Sequence, residues 1–270
     1  MEQLIAMNSN SYHGFSIEAA IAGTKRAGFS TIELTATQGW TEHVFRTMSF
    51  DRLCEIRELL EREELSVVGM SGHTNLMDAD RLDDFKRNIQ LAAFFKAPHI
   101  ISSIGEAHLE DSVEGDNRLV ADHIRSIVPL LEKYGVSLAL EVHGKHGTGT
   151  AIGQIVQLVD SPLVSIAYDT ANVIFYGNVD PAEDLASCVD QVGYMHLKDK
   201  QGLPQEWNFP ALGEGLVDFP GIFQVLKQAG KVVPWSIEIE FTSSGAGDVD
   251  EVDRAAVQSA EYLKRLGCTV

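Results

Sequence analysis

Eight short runs of β-branched and apolar residues, set roughly 30 residues apart with helical patterns between them, constrain this chain more than any other feature. The runs begin near Leu4-Ile5-Ala6-Met7, Thr31-Ile32-Glu33-Leu34, Leu65-Ser66-Val67-Val68 and His99-Ile100-Ile101-Ser102. Four more follow at Ser137-Leu138-Ala139-Leu140, Val164-Ser165-Ile166-Ala167, Val192-Gly193-Tyr194-Met195 and Trp235-Ser236-Ile237-Glu238. Between them the apolar period lengthens to that of a helix, as at Leu119, Ile124, Ile127 and Leu131, with Gly135 as a C-terminal stop. Ser16 stands as an N-cap ahead of a helical run from Ile17, and Gly28 and Gly230 close two others. Such repeats predict a parallel sheet. Eight of them in 270 residues fit a closed α/β barrel, one (β/α)8 domain over residues 1–270, better than an open doubly wound sheet, because no GxGxxG follows the first strand.

Composition narrows the partners. No apolar stretch reaches the roughly 18 residues of a membrane helix, and the start, Met1-Glu2-Gln3, lacks the basic-then-apolar layout of a signal peptide, so a cytoplasmic location is expected. Lys and Arg number 21 against 39 Asp and Glu, and a net charge of −18 repels nucleic acid and anionic lipid. Cys54, Cys188 and Cys268 form no CxxC or zinc-type pattern and read as reduced thiols.

In a barrel of this kind the reactive groups sit where strands end. Strand five runs into Glu141-Val142-His143, strand six into Asp169-Thr170-Ala171-Asn172, strand seven into His196-Leu197-Lys198-Asp199, and strand eight carries Glu238 and Glu240. Burying any one of these charges unpaired costs several kcal/mol, so something must compensate. A divalent cation does so, and three carboxylates with one imidazole suit manganese, magnesium or cobalt, with zinc also compatible. Glu238 and Glu240 share a face by the two-residue period, and either can reach the ion.

The segments Leu-Glu-Val-His, Tyr-Asp-Thr-Ala-Asn, Met-His-Leu-Lys-Asp and Ser-Ile-Glu-Ile-Glu resemble, in this order, those of the xylose-isomerase-like TIM barrel superfamily of sugar isomerases and epimerases, with endonuclease IV among its relatives. The resemblance covers nearly the whole chain. It implies that Glu141, Asp169, His196 and Glu238 are the metal ligands, Mn2+ first among the metals, with Glu240 behind them. It also implies that Glu141 and Glu238 are the acid/base pair of a sugar isomerase or epimerase working through an enediolate. Relatives are often dimers or tetramers, which implies a homodimer or homotetramer. The endonuclease branch is disfavoured: strand four ends Ser102-Ser103-Ile104 without a histidine, no Asp-x-His follows His196, and Asn172 stands where a histidine is expected.

Asn172 also departs from the ketose 3-epimerases, which usually carry a substrate-contacting histidine there. Further substrate-binding candidates are His73 after strand three, His143 and Lys198 two residues beyond proposed ligands, and Trp40 and Trp207 in loops, as an aromatic wall for a sugar face. Gly213-Glu214-Gly215 reads first as a turn, with a small anion nest as the alternative. The substrate expected is a small carbohydrate. Two other readings stand beside the isomerase: a metal-dependent lyase or dehydratase acting on a 3-keto sugar, keto-glycoside or dehydroshikimate-like substrate, with His143 as acid, and a non-catalytic barrel that binds a metal or polyol.

Overall fold

A computed structural model describes residues 3–111 and 113–270. Met1 and Glu2, on which the expectation about a signal peptide rests, lie outside the described residues. In chain order the elements are β1 (Ile5–Asn8), α1 (Ile17–Arg26), β2 (Thr31–Thr35), α2 (Phe50–Arg62), β3 (Ser66–Ser71), α3 (Leu82–Phe94), β4 (His99–Ser102), α4 (Asn117–Tyr134), β5 (Ser137–Glu141) and α5 (Gly149–Val159). Then come β6 (Val164–Asp169), α6 (Asn172–Phe175), α7 (Pro181–Cys188), β7 (Val192–Leu197), β8 (Asn208–Phe209), α8 (Phe219–Gln228), β9 (Trp235–Ile237), β10 (Phe241–Thr242) and α9 (Val249–Arg265).

Strands β1 to β7 and β9 pair in parallel, each with its neighbour, and β9 returns to β1 through Ile5 opposite Trp235 to close the barrel. The eighth expected strand is therefore β9. The intervening β8 pairs antiparallel with β10, Phe241 opposite Phe209, and ties the loop after β7 to the exit of β9. Among the described residues no helix is long and apolar enough to cross a membrane.

Strand alternation divides the apolar residues into two populations. Leu138, Leu140, Ile166, Tyr168, Met195, Leu197 and Ile237 point outward and join the large core between barrel and helices. Their neighbours Ala139, Ala167 and Tyr194, with Ile101, form a separate cluster inside the barrel. The interior is therefore filled with small and polar groups. A Cβ at Gly69 would lie 2.6 Å from the Tyr194 hydroxyl, so glycine in β3 leaves room for that ring.

The helices begin where the sequence places their caps. Ser16 accepts from the Ala19 amide, and α4 ends on Gly135 at φ 64°, a left-handed conformation that glycine adopts without steric cost. Within α4, Val120, Ile124, Ile127 and Leu131 are buried, whereas Leu119 is 38% exposed. The expected apolar stripe starts one residue later, because Val120, four residues before Ile124, shares its buried face, whereas Leu119 is turned away.

Candidate active site and metal centre

Parallel register sets Asp169 opposite His196, and the ends of β5, β6, β7 and β9 bring Glu141, Asp169, His196 and Glu238 together. One donor atom from each lies within 4.8 Å of the others, and all four residues are buried. Glu240 lies outside this group. Its carboxylate accepts from Asn10 Nδ2 at 3.1 Å and pairs with Lys198.

His196 is held from both sides. Its Nδ1 is 2.6 Å from Glu141 Oε1, and its Nε2 is 3.1 Å from Glu33 Oε2. Glu33, fully buried on β2, also accepts from Ser71 Oγ at 2.5 Å and from the Tyr194 hydroxyl at 2.9 Å. Burial raises the Glu33 carboxyl, but the His196 charge and hydrogen bonds from His196 and Ser71 outweigh it and hold the pKa below the usual range. Burial pushes His196 down in turn, and Glu33 and Glu141 more than reverse that, holding it well above an ordinary histidine.

Asp169 is the unbalanced member. Its Oδ1 accepts from the amides of Ala171 and Asn172, both at 2.8 Å, but its buried Oδ2 has no hydrogen-bond partner. The Lys198 ammonium and His196 Nδ1 are each 4.0 Å from that oxygen. Burial first, then the charges of Glu141 and Glu238 against Lys198 and His196, push its pKa up to about 7. Five buried or nearly buried carboxylates (Glu33, Glu141, Asp169, Glu238 and Glu240) face two cationic side chains, His196 and Lys198. An orphaned oxygen in that surplus of negative charge, among hard oxygen donors and one imidazole, fits a divalent cation.

Above this cluster lies a cavity of about 380 Å³, and every substrate-binding candidate read from the sequence lines it: His73, His143, Asn172, Lys198, Trp40 and Trp207. Several are already engaged. His73 Nδ1 accepts from the Ser103 amide at 2.9 Å, which directs Nε2 toward Glu141 Oε2 at 3.7 Å. Asn172 Nδ2 donates to the Val142 carbonyl at 3.1 Å. The Lys198 ammonium donates to Glu238 Oε2 at 3.2 Å and lies 4.5 Å from the centre of the Phe209 ring. His143 Nε2 meets the Tyr176 hydroxyl at 3.0 Å, and burial, opposed by Glu141 and reinforced by His73 and Lys198, lowers the His143 pKa to about 4.

Two expectations need correction. Trp40 cannot stack on a sugar, because His13 and His108 cover its two faces at centroid distances of 3.9 Å and interplanar angles of 10° and 11°. Trp207 meets Trp40, Phe175 and Phe209 edge-on. The Gly213-Glu214-Gly215 nest is real but filled: the amides of Gly213 and Gly215 donate to Asp199 Oδ2 at 2.8 and 2.9 Å, and Val217 N to Oδ1 at 3.2 Å. No anion from solution has access to donors that an internal carboxylate already satisfies.

Glu33, Asn8, Asn10 and Tyr176 were not singled out from the sequence. Asn8 and Asn10 donate to Glu238 Oε1 at 3.3 and 2.9 Å and fix its orientation. A signal for Glu33 was present, since a carboxylate inside the apolar run Thr-Ile-Glu-Leu-Thr is subject to the same burial cost that drew attention to Glu141.

The family model described as xylose isomerase-like TIM barrel matches residues 21–266. The chain belongs to this family. A putative L-ribulose-5-phosphate 3-epimerase of Escherichia coli (strain K12) is 29% identical over 151 residues, 52% of this chain and 47% of that protein. An inosose dehydratase of Clostridium beijerinckii is 25% identical over 132 residues, 43% of this chain and 44% of that protein. The match thus spans about half the length of these curated relatives. Among solved structures, a D-allulose 3-epimerase from Methylomonas sp. in complex with D-allulose superimposes with a TM-score of 0.77 at 18% identity, covering 98% of this chain and 97% of that one. Family members similar to this chain therefore include sugar epimerases and a dehydratase.

Proposed function

We propose that this chain is a divalent-metal-dependent sugar isomerase or epimerase that moves a proton on a carbon beside the carbonyl of a ketose-type substrate. The observation that carries the reading is the cluster of Glu141, Asp169, His196 and Glu238, with its orphaned Asp169 oxygen, at the floor of a cavity lined by hydroxyl-binding side chains. These four residues would hold the ion, Mn2+ being the best match to three carboxylates and one imidazole. When bound, it supplies Lewis-acid polarisation of a substrate carbonyl and the neighbouring hydroxyl.

The chain's own residues do the rest. Glu141 is ionised at neutral pH: burial raises its carboxyl, but His73 and His196, the latter through both a hydrogen bond and its charge, outweigh it and hold it far below the usual range. It is thus in the charged form that a proton acceptor requires. Glu238, oriented by Asn8, Asn10 and Lys198, returns a proton, to the opposite face for epimerisation or to the adjacent carbon for isomerisation, through an enediolate. The Lys198 ammonium beside Glu238 stabilises negative charge on substrate oxygen. Glu33 anchors the imidazole Nε2 and so fixes the direction of Nδ1. Glu33→Gln is expected to keep the fold and weaken manganese binding by about 10- to 100-fold, read by calorimetric titration.

His143, with the Tyr176 hydroxyl at 3.0 Å in the cavity wall, is the candidate acid of a second reading, elimination of a β-hydroxyl, and the burial that keeps its imidazole neutral near pH 7 works against that role. One experiment tests both. The manganese-loaded chain is incubated in deuterated water with ketoses, aldoses and 3-keto-glycosides and followed by NMR and mass spectrometry. Deuterium on the carbon beside the carbonyl in a product of unchanged skeleton supports the isomerase or epimerase. A product lacking one water supports the dehydratase. No exchange into any sugar, with the ion bound, leaves the non-catalytic barrel.

A further inference from the structure

A second cavity of about 850 Å³ adjoins the inner one, and the two share Asn10, Trp40, His108, Trp207 and Glu240 in their walls. The outer cavity is bounded on one side by the His13-Trp40-His108 stack and on the other by the backbone from Phe241 to Ala246 that follows β10. Phe241 holds a φ of 58°, a conformation unfavourable for a bulky side chain, and β8 pins it there through Phe209. The space is therefore built, and it is larger than the room over the metal cluster.

Charge decides what can fill it. Among the described residues lining the two cavities the one Lys or Arg is Lys198, and its ammonium is engaged by Glu238 and Glu240. The arginines in the loops after β2 and β3 are matched internally: Arg46 pairs with Asp84, and Arg81 with Asp84 and Glu106. The backbone nest at Gly213 and Gly215 is filled by Asp199. Both histidines of the stack are held neutral chiefly by burial, His108 with a pKa lowered to about 3. Glu240 adds a carboxylate to the shared wall. A phosphate dianion here would meet no free cation and would lie within reach of that carboxylate. A neutral ring meets aromatic rings on one side and the hydroxyls of Thr242, Ser243 and Ser244 on the other.

We propose that the substrate is an unphosphorylated keto sugar bearing a neutral, ring-sized substituent, a second sugar or an aglycone, which occupies the outer cavity. This rests on the reading of the inner cavity as a ketose site, and it sets the chain apart from relatives named for a sugar phosphate. Trp207 is one of the walls common to both cavities. The substituent also supplies binding energy remote from the reacting carbons.

The test is calorimetric titration of the manganese-loaded chain with a matched set: D-fructose, D-fructose 6-phosphate, and the neutral disaccharide ketoses palatinose, turanose and lactulose, which carry a second hexose at different positions. The expected result is that at least one disaccharide binds tenfold or more tightly than fructose, and that the phosphate binds no better than fructose. Trp207→Ala should shrink the disaccharide advantage more than it weakens fructose. A phosphate that binds tenfold tighter than fructose, or three disaccharides that bind no better than fructose, overturns the proposal while leaving the ketose reading intact. If no ketose binds at all, the ketose reading falls and this inference with it.

Discussion

Glu141→Gln, assayed at saturating manganese, is expected to lower kcat by about 10²- to 10⁴-fold, the range that a positioned acid/base group contributes. Deuterium exchange beside the substrate carbonyl should fall by the same factor. The amide keeps the size of the side chain and one oxygen facing the cluster, so substrate affinity should change far less than kcat. This separates proton transfer from mere binding, because an interaction used only in the transition state is lost from kcat. Metal content must be measured alongside, since Glu141 is also one of the four clustered donors. A variant with bound manganese and an unchanged exchange rate would remove Glu141 from the chemistry.

Asp169→Asn is expected to separate metal binding from stability. Loss of the buried charge should cost about 3 kcal/mol or more of the attraction to a divalent ion, which is at least about a hundredfold in affinity, and activity should go with it. The metal-free protein should respond in the opposite direction. Asparagine can still accept from Ala171 and Asn172 through its carbonyl, while a neutral amide nitrogen, close to the Glu141 and Glu238 carboxylates, replaces the charged oxygen that had no partner. The sign with pH follows from a folded-state pKa of about 7 against an ordinary 3.8. The folded protein holds the proton more tightly than the unfolded chain, so the wild type loses stability as pH rises between these values. The thermal midpoint of metal-free Asp169→Asn should therefore match that of metal-free wild type near pH 4 and exceed it at pH 7 and above. Saturating manganese should reverse the order at pH 7. Equal manganese affinity in both proteins would show that Asp169 is no ligand.

Much of the frame was legible in the sequence because each strand is a local signal. His99–Ser102 is a strand as expected, and β5 and β6 extend by one or two residues to include the carboxylates that end them. Parallel strands of one barrel deliver their ends to one place, which gathers Glu141, Asp169 and His196 with Glu238 or Glu240, and the family resemblance singled out Glu238. Contacts across the barrel were not legible. Glu33 meets His196 over a separation of 163 residues, and nothing in Thr-Ile-Glu-Leu-Thr states which partner relieves its burial. Trp40 read as a free stacking surface because the rings that cover it, His13 and His108, lie 27 residues before and 68 residues after it in the chain (40 − 13 and 108 − 40). Gly213-Glu214-Gly215 left a turn and an anion nest both open because Asp199, the occupant that settles it, looked like one more strand-end acid. In each case the residue type was informative, and the missing quantity was which other group already satisfies it.

The most direct test of the metal centre is elemental analysis of the purified full chain, before and after dialysis against manganese, with a thermal melt of the same samples. One divalent ion per chain, and a midpoint that falls when a chelator removes it, is the predicted result. No bound ion after manganese loading, and a melt indifferent to the chelator, would contradict the account and leave Glu141, Asp169, His196 and Glu238 as a buried ion network without a metal.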